Sequence, residues 1–131
     1  MRIKQNQAGP SVRQRKVAEE IRHALAGIFG HGGFYPRDVA PEIARIPITC
    51  TEVRISPDLR HATVFVMPLG GQEQKAVVEA LNQAAPHLRH LVVQEVELRL
   101  APTLRFLPDE SFAEAEKIEK LLKNVKKEEV I

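Results

Sequence analysis

Two runs of alternating apolar and polar residues, within residues 51–68, form the stretch around which the chain is organised. A period of two that is rich in β-branched residues predicts β-strands. Between the runs lies Ser56-Pro57-Asp58, where proline presets the backbone for a turn and the polar side chains can bond nearby amides. The stretch therefore predicts an antiparallel hairpin. Its apolar positions are Val53, Ile55, Ala62, Val64 and Val66.

A helix is predicted before the hairpin. Ser11 is a suitable N-cap, and apolar residues then recur at spacings of three and four as far as about Phe29. The glycines of Gly30–Gly33 end this helix, and a loop over residues 34–46 with two prolines follows. The apolar residues change phase between Cys50 and Val53, which predicts a β-bulge near Thr51.

A kinked helix is predicted after the hairpin, because helical spacing of apolar residues runs from about residue 72 to residue 92 with Pro86 inside it. Proline lacks an amide donor, clashes with the preceding turn and disfavours the α conformation at Ala85. It suits the first turn of a new helix. The pattern therefore predicts a sharp kink at Ala84, Ala85 and Pro86.

Alternation returns in residues 95–101, which are predicted to form a third strand, and helical spacing in residues 111–125 predicts a last helix. The order α-β-β-α-kink-α-β predicts an α+β fold, with a three-stranded mixed sheet covered by helices on one face. That order is the one found in type II K-homology (KH) domains, which bind single-stranded nucleic acid. We expect a flexible arm at residues 1–10, the KH type II-like domain at residues 11–108, and a C-terminal helix with a charged tail at residues 109–131.

The phosphate clamp of KH domains is a GxxG loop between the two helices that are now placed around the kink. The chain has Ala84-Ala85-Pro86 there instead, and Pro86 has no N–H to offer a phosphate. The GxxG-like string Gly30–Gly33 ends the first helix, outside that helix pair. We therefore expect a KH-like domain in which a kinked Ala-Ala-Pro replaces the clamp.

Length and composition narrow the class of protein further. The 131 residues suit one domain, no apolar run is long enough for a membrane span, and we expect no signal peptide. The single cysteine, Cys50, is expected to be a core side chain, which fits a reducing cytoplasm. Residues 1–107 hold 14 Lys and Arg against 10 Asp and Glu, whereas residues 108–131 hold 5 against 7. This moderately basic body suggests a polyanionic partner, although a solvated surface would show the same balance.

Basic side chains near the first helix start, the hairpin and the kink are the candidates for contacts with RNA phosphates. These candidates are Arg13, Arg15, Lys16, Arg22, Arg54, Arg60, His61 and Arg89. His87 and His90 share a helix face, but no neighbouring ligand completes a metal site, so we expect no metal and no cofactor. No phosphate-loop, nucleophile-elbow or zinc-protease motif occurs, which makes an enzyme the least supported class.

Three stretches resemble the ribosome-binding factor A family: TEVRISPDLRHATVFV, ALNQAAPHLRHLVVQEVELRLAPTLRF and DESFAEAEKIEKLL, within about residues 11–125. The resemblance implies a KH type II fold whose GxxG loop is replaced by a kinked Ala-X-Gly. It implies binding to immature small (30S) ribosomal subunits, a role in late maturation of the small-subunit (16S) rRNA, and support of growth in the cold. This chain departs from the family pattern with Pro86 in place of the glycine, and with Ala40-Pro41-Glu42 where Asp-Pro-Arg is usual.

The sequence is therefore interpreted as a monomeric, cytoplasmic, non-enzymatic assembly factor that binds precursors of the small ribosomal subunit and their rRNA. No membrane and no small-molecule substrate is expected. One alternative is a generic single-stranded RNA-binding protein of the same fold, which would bind a short oligonucleotide well by itself. A second alternative is a protein-interaction domain, which would ignore RNA and show no dependence on salt.

Overall fold

A computed structural model describes residues 9–96, 101–111 and 117–123 of the chain. Its elements, in chain order, are α1 (Val12–His31), α2 (Pro41–Ala44), β1 (Ile48–Ile55), β2 (His61–Pro68), α3 (Gln74–Gln83), α4 (Ala85–Glu95) and β3 (Thr103–Pro108). Residues 117–123 are also helical. The predicted order of elements is confirmed, with the short helix α2 as an addition inside the predicted loop.

Helix α1 begins where the sequence predicts. The hydroxyl of Ser11 accepts a hydrogen bond from the backbone N–H of Gln14 at 3.1 Å, and the Gln14 side chain accepts one from the Ser11 N–H at 2.8 Å. This reciprocal capping box satisfies two amides that the first turn leaves without a helical partner. The helix ends at His31, two residues later than predicted, and Gly32 follows it with a positive φ of 73°.

The sheet has the order β1-β2-β3, with β1 antiparallel to β2 and β2 parallel to β3. The register of the hairpin shifts between Cys50 and Glu52, so the predicted bulge at Thr51 is confirmed. The bulge lets Cys50 and Val53 point to the same, buried face although they are three residues apart.

The helices contact one face of the sheet, and the core lies between them. It includes Ile21 and Leu25 of α1, Val64 of β2, Leu88 of α4 and Phe106 of β3, each with no exposed surface. Cys50 is also part of this core, and burial raises the pKa of its thiol to about 11. A thiol with that pKa stays protonated near neutral pH, which agrees with a structural rather than a reactive cysteine.

The position predicted for the third strand is wrong. Helix α4 continues to Glu95, and the N–H of its C-cap residue Val96, whose own backbone is extended, still bonds to the carbonyl of Val92 at 2.9 Å, so the first residue of the predicted strand is helical. Residues 97–100 lie outside the described residues. The strand that pairs with β2 is the following stretch, Thr103–Pro108, in which Leu104 and Phe106 point into the core.

One side chain secures the outer edge of β3. The amide of Asn82, on α3, donates to the carbonyl of Phe106 at 3.0 Å and accepts from the N–H of Phe106 at 2.8 Å. Backbone groups on an edge strand otherwise remain available to another strand. Asn82 therefore fixes helix α3 to β3 and occupies both polar groups of one edge residue.

We expect Asn82→Ala to lower the free energy of unfolding by about 1–3 kcal/mol, because two partly buried hydrogen bonds to the Phe106 backbone are lost. Urea denaturation followed by circular dichroism measures the change. Gln83→Ala is the matched control, since Gln83 is exposed at the next position and should stay within about 0.5 kcal/mol of wild type. Equal stabilities for the two variants would contradict a structural role for the Asn82 amide.

Candidate nucleic-acid interface

The kink is located at Ala84, which both ends α3 and precedes α4. Ala84 is 2% exposed, and hydrogen bonds from its N–H to Ala80 (3.0 Å) and from the N–H of Leu88 to its carbonyl (2.9 Å) hold the joint. Pro86 lies exposed in the first turn of α4, as predicted. Because Pro86 has no N–H and Ala84 is buried, the joint offers little backbone for a phosphate clamp.

The three basic residues at the start of α1 do not form a single patch. Successive residues of a helix point about 100° apart, so Arg13 and Lys16, three positions apart, lie on nearly the same face, whereas Arg15 points away from Arg13. Arg15 lines a groove of about 520 Å³ between α1 and β1 that Arg54 also lines. Lys16 lies beside acidic residues on another side, in a groove that contains Glu19, Glu20 and Glu95.

Gln14 explains why Arg15 approaches the hairpin. Besides completing the capping box, its side-chain amide donates to the carbonyl of Ile55 at the end of β1, at 3.1 Å. This bond holds the start of α1 against the end of the strand. Arg15 and Arg54, far apart in sequence, therefore line the same groove.

Arg22 is compensated locally. Its guanidinium forms hydrogen bonds with the carboxylate of Glu19 one turn earlier, through Nε at 3.0 Å and through Nη2. The hydrogen bond to Arg22 lowers the pKa of Glu19, and the same bond raises the pKa of Arg22. Both groups are at the surface, so the pair contributes little to stability. Arg22 offers a phosphate less net attraction than an arginine without a carboxylate partner.

Arg54 is held in a defined orientation. Its Nε lies 3.1 Å from a carboxylate oxygen of Glu52, and its guanidinium carbon lies 5.1 Å from the centre of the Phe65 ring. The side chain nevertheless remains 69% exposed. A cation over an aromatic face is attracted by the ring, so Phe65 and Glu52 together limit the rotamers that Arg54 adopts.

The hairpin turn presents Arg60 and His61. Asp58 accepts hydrogen bonds from the Ser56 hydroxyl and, at 3.1 Å, from the Arg60 N–H, and these bonds lower the pKa of Asp58. The guanidinium of Arg60 has no ion-pair or hydrogen-bond partner in the described part of the chain. His61 is engaged differently: its Nδ1 lies 2.8 Å from the Thr103 hydroxyl on β3.

Arg89 has a structural contact that the sequence did not indicate. Its Nε and Nη2 donate to the carbonyl of Ala101 at 3.1 and 2.6 Å, which ties α4 to the segment that enters β3. The next backbone link is the Thr103 N–H, which donates to the Arg60 carbonyl at 2.8 Å. Arg89, β3 and the hairpin turn are thus joined at one end of the molecule, which we call the hairpin end.

At the hairpin end, Arg60 and His61 lie at the turn, Arg15 and Arg54 on the β1 side and Arg89 on the β3 side, whereas Arg13, Lys16 and Arg22 lie further along α1 or on its other faces. One further residue was missed by the sequence analysis: Arg105 of β3 is exposed and lies beside Thr63, which in turn lies beside Arg54. Its position between the buried Leu104 and Phe106 could have revealed it by strand alternation. The contacts place these side chains, and their binding role stays a prediction.

Neither a metal centre nor a membrane span is found in the described residues. Their histidines, cysteine and carboxylates form no group of three that could hold a metal ion, and His90 lies 3.2 Å from the Gln94 amide instead. None of their helices is both long and apolar enough to cross a membrane.

The fold and this surface define the class of protein: a KH-like α+β domain with basic side chains around one end and no glycine clamp at its helix joint. The sequence model of the family described as ribosome-binding factor A matches residues 13–122. The ribosome-binding factor A of Methylobacterium sp. (strain 4-46) is 47% identical over 126 residues, which cover 96% of this chain and 88% of that protein. The chain therefore belongs to the ribosome-binding factor A family.

Solved structures agree with this assignment. A candidate ribosome-binding factor A of Thermotoga maritima, determined in solution by NMR, superposes with a TM-score of 0.59 and 30% identity, over 79% of this chain and 93% of that one. A homology model of the Thermus thermophilus ribosome-binding factor A, fitted into a cryo-EM map of its complex with the 30S subunit, gives a TM-score of 0.54 at 24% identity, over 71% of this chain and 91% of that one. The likeness to the Thermus thermophilus protein supports the fold of this chain.

Proposed function

We propose that this protein is a non-enzymatic assembly factor that binds precursors of the small ribosomal subunit and promotes late maturation of 16S rRNA, including in the cold. The observation that carries the proposal is membership of the ribosome-binding factor A family along nearly the whole domain. It is supported by the Thermus thermophilus relative, which was placed in a complex with the 30S subunit. We further propose that it acts as a cytoplasmic monomer, in which residues 11–108 form the binding domain and the flanking residues are an arm and a tail.

The hairpin end supplies the contacts that such a role requires. Without a clamp at the kink, attraction to rRNA must come from side-chain cations, and neutralised phosphates make binding dependent on salt. Arg15 and Arg60 are the strongest candidates, because neither forms a salt bridge within the described residues and both are exposed. Arg54 lies nearby in a defined orientation, with its charge partly compensated by Glu52.

Co-sedimentation with immature and with mature small subunits, over a series of salt concentrations, tests the proposal. Wild type should bind the immature particle in preference. The double variant Arg15→Ala, Arg60→Ala should bind it more weakly, with a salt slope reduced by about two if each side chain contacts one phosphate. Its fold should survive, since exposed substitutions usually shift stability by less than about 0.5 kcal/mol each.

Arg22→Ala is the matched control, because it removes an arginine whose charge Glu19 already compensates. It should leave the salt slope nearly unchanged. An unchanged slope in the double variant would exclude the hairpin end from the rRNA contact. Binding of short single-stranded RNA as tightly as the particle would favour the generic RNA-binding alternative instead.

A further inference from the structure

The sheet has a second face, which the core does not use. On this open face the side chains of β2 are His61, Thr63, Phe65 and Met67, all exposed or half-buried. Phe65, Met67 and Leu107 are absent from the core and from the residues packed against it. The face therefore carries a partly buried aromatic ring that lies outside the core of the described residues.

Two arginines flank Thr63, in the row of the sheet next to this ring. Arg54 on β1 lies opposite Thr63 on β2, and Thr63 lies beside Arg105 on β3. Neighbouring strands are about 4.8 Å apart, so the two arginine backbones are separated by about 10 Å across the face. Phe65 occupies the next row toward the other end of the sheet, between Glu52 and Leu107.

Arg54 is organised in a way that suits stacking. The guanidinium carbon of Arg54 lies 5.1 Å from the ring centre of Phe65, and its Nε lies 3.1 Å from a carboxylate oxygen of Glu52. The Arg54 side chain nevertheless stays 69% exposed. A planar guanidinium can stack on a nucleobase and still donate hydrogen bonds from its edge to a phosphate. The side chain of Arg105 is exposed and has no hydrogen-bond or ion-pair partner in the described part of the chain, so its guanidinium is available to a second phosphate.

The charges on this face favour nucleic acid over an apolar helix. Two arginines, Arg54 and Arg105, lie along the middle of the face against one carboxylate, Glu52. The described part of the C-terminal helix does not cover it, because the apolar residues Ile118, Leu121 and Leu122 are 57%, 64% and 56% exposed. A single-stranded segment offers both the flat bases and the phosphates that these groups recognise.

We propose that the open face is a stacking platform for unpaired nucleotides of the precursor rRNA, with Arg54 on Phe65 as its centre and Arg105 as a phosphate contact. This proposal rests on the proposed function and adds a surface distinct from the helix joint at which KH domains hold their ligand. It predicts that the protein reads unpaired rRNA through a sheet face as well as through cations at the hairpin end.

Binding of full-length variants to purified precursor small subunits, measured over a salt series, tests the platform. Phe65→Leu keeps an apolar side chain but removes the ring, and it should weaken binding about tenfold with little change in salt slope. Arg105→Ala should weaken binding and also reduce the slope by about one. Arg54→Lys keeps the charge but loses the planar group, and it should resemble Phe65→Leu.

Two controls make the result specific. Phe65→Tyr retains the ring and should bind as wild type does, which separates stacking from any effect on folding. Arg45→Ala removes an exposed arginine that lies beside the end of α1 rather than on the open face, and it should leave binding unchanged. Thermal melts of all variants confirm that the compared proteins are folded.

A photo-crosslinking benzoylphenylalanine in place of Thr63 identifies the occupant directly. Crosslinks to rRNA would support the platform, whereas crosslinks to a ribosomal protein or to residues 117–123 would overturn it. Wild-type affinity in Phe65→Leu, Arg54→Lys and Arg105→Ala would overturn the platform while leaving the proposed function intact. Failure of the wild type itself to bind precursor subunits would overturn the proposed function and the platform together.

Discussion

Replacement of Phe106 by alanine is expected to lower the free energy of unfolding by about 3–5 kcal/mol. The Phe106 side chain has no exposed surface, and its ring centre lies 6.4 Å from that of Phe29 on α1. Truncation would leave a cavity between the sheet and the helices, which the backbone cannot close easily while Asn82 holds it at Phe106. Small domains are typically stable by about 5–15 kcal/mol, so this variant should be near the limit of folding. Urea denaturation followed by circular dichroism measures the loss.

Arg105→Ala is the control for this measurement, because it changes the adjacent residue of the same strand on the exposed side. It should alter stability by no more than about 0.5 kcal/mol. A loss below about 1.5 kcal/mol in Phe106→Ala would contradict the placement of β3 in the core, since full burial of an aromatic ring costs more to remove.

The parts of the fold that the sequence predicted correctly are those that local chemistry determines. The capping of α1 by Ser11, the bulge at Thr51 and the kink before Pro86 each depend on residues a few positions apart. Their signals are a capping side chain, a change of phase and a missing amide donor. Such features do not need a distant partner, so a single sequence shows them.

The third strand shows what local patterns cannot decide. Residues 95–101 and residues 103–108 both alternate, and the first stretch looks like the better strand. Only the parallel pairing of Thr103–Pro108 with β2, more than thirty residues earlier in the chain, makes the second stretch the strand. Nonlocal pairing of this kind overrides a local preference.

The candidate site was predictable in its charge and unpredictable in its geometry. The sequence identified Arg22 and Arg89 as basic residues, but it did not show that Glu19 pairs with one and that the Ala101 carbonyl binds the other. Arg105 was overlooked because the strand had been assigned elsewhere. Which cations remain available to a phosphate depends on these contacts. The Glu19–Arg22 pair joins residues one helical turn apart, whereas the contact of Arg89 with the Ala101 carbonyl joins two different elements and has no local sequence signal.

The joint between α3 and α4 replaces the clamp of ordinary KH domains, and a substitution at Ala84 tests how tightly it is packed. Ala84→Leu is expected to lower the free energy of unfolding by about 1–3 kcal/mol, since added methylenes in a packed site force neighbouring side chains to move. Ala84 is 2% exposed and belongs to the same core as Leu81 and Leu88. A larger residue there should push α4 away from β3, and with it Arg89 from the Ala101 carbonyl.

Gln83→Leu adds a similar side chain one position earlier, where the surface is exposed, and should change stability by no more than about 0.5 kcal/mol. Thermal and urea melts of the two variants give the difference, and hydrogen exchange at Val96 reports on the end of α4. If Ala84→Leu is as stable as Gln83→Leu, the joint has room for a side chain and its alanine does not set the packing. A loss of stability in Ala84→Leu alone would show that a small residue is required at the joint, because the two helices meet against the core there. The glycine clamp of an ordinary KH domain would instead face solvent at this place.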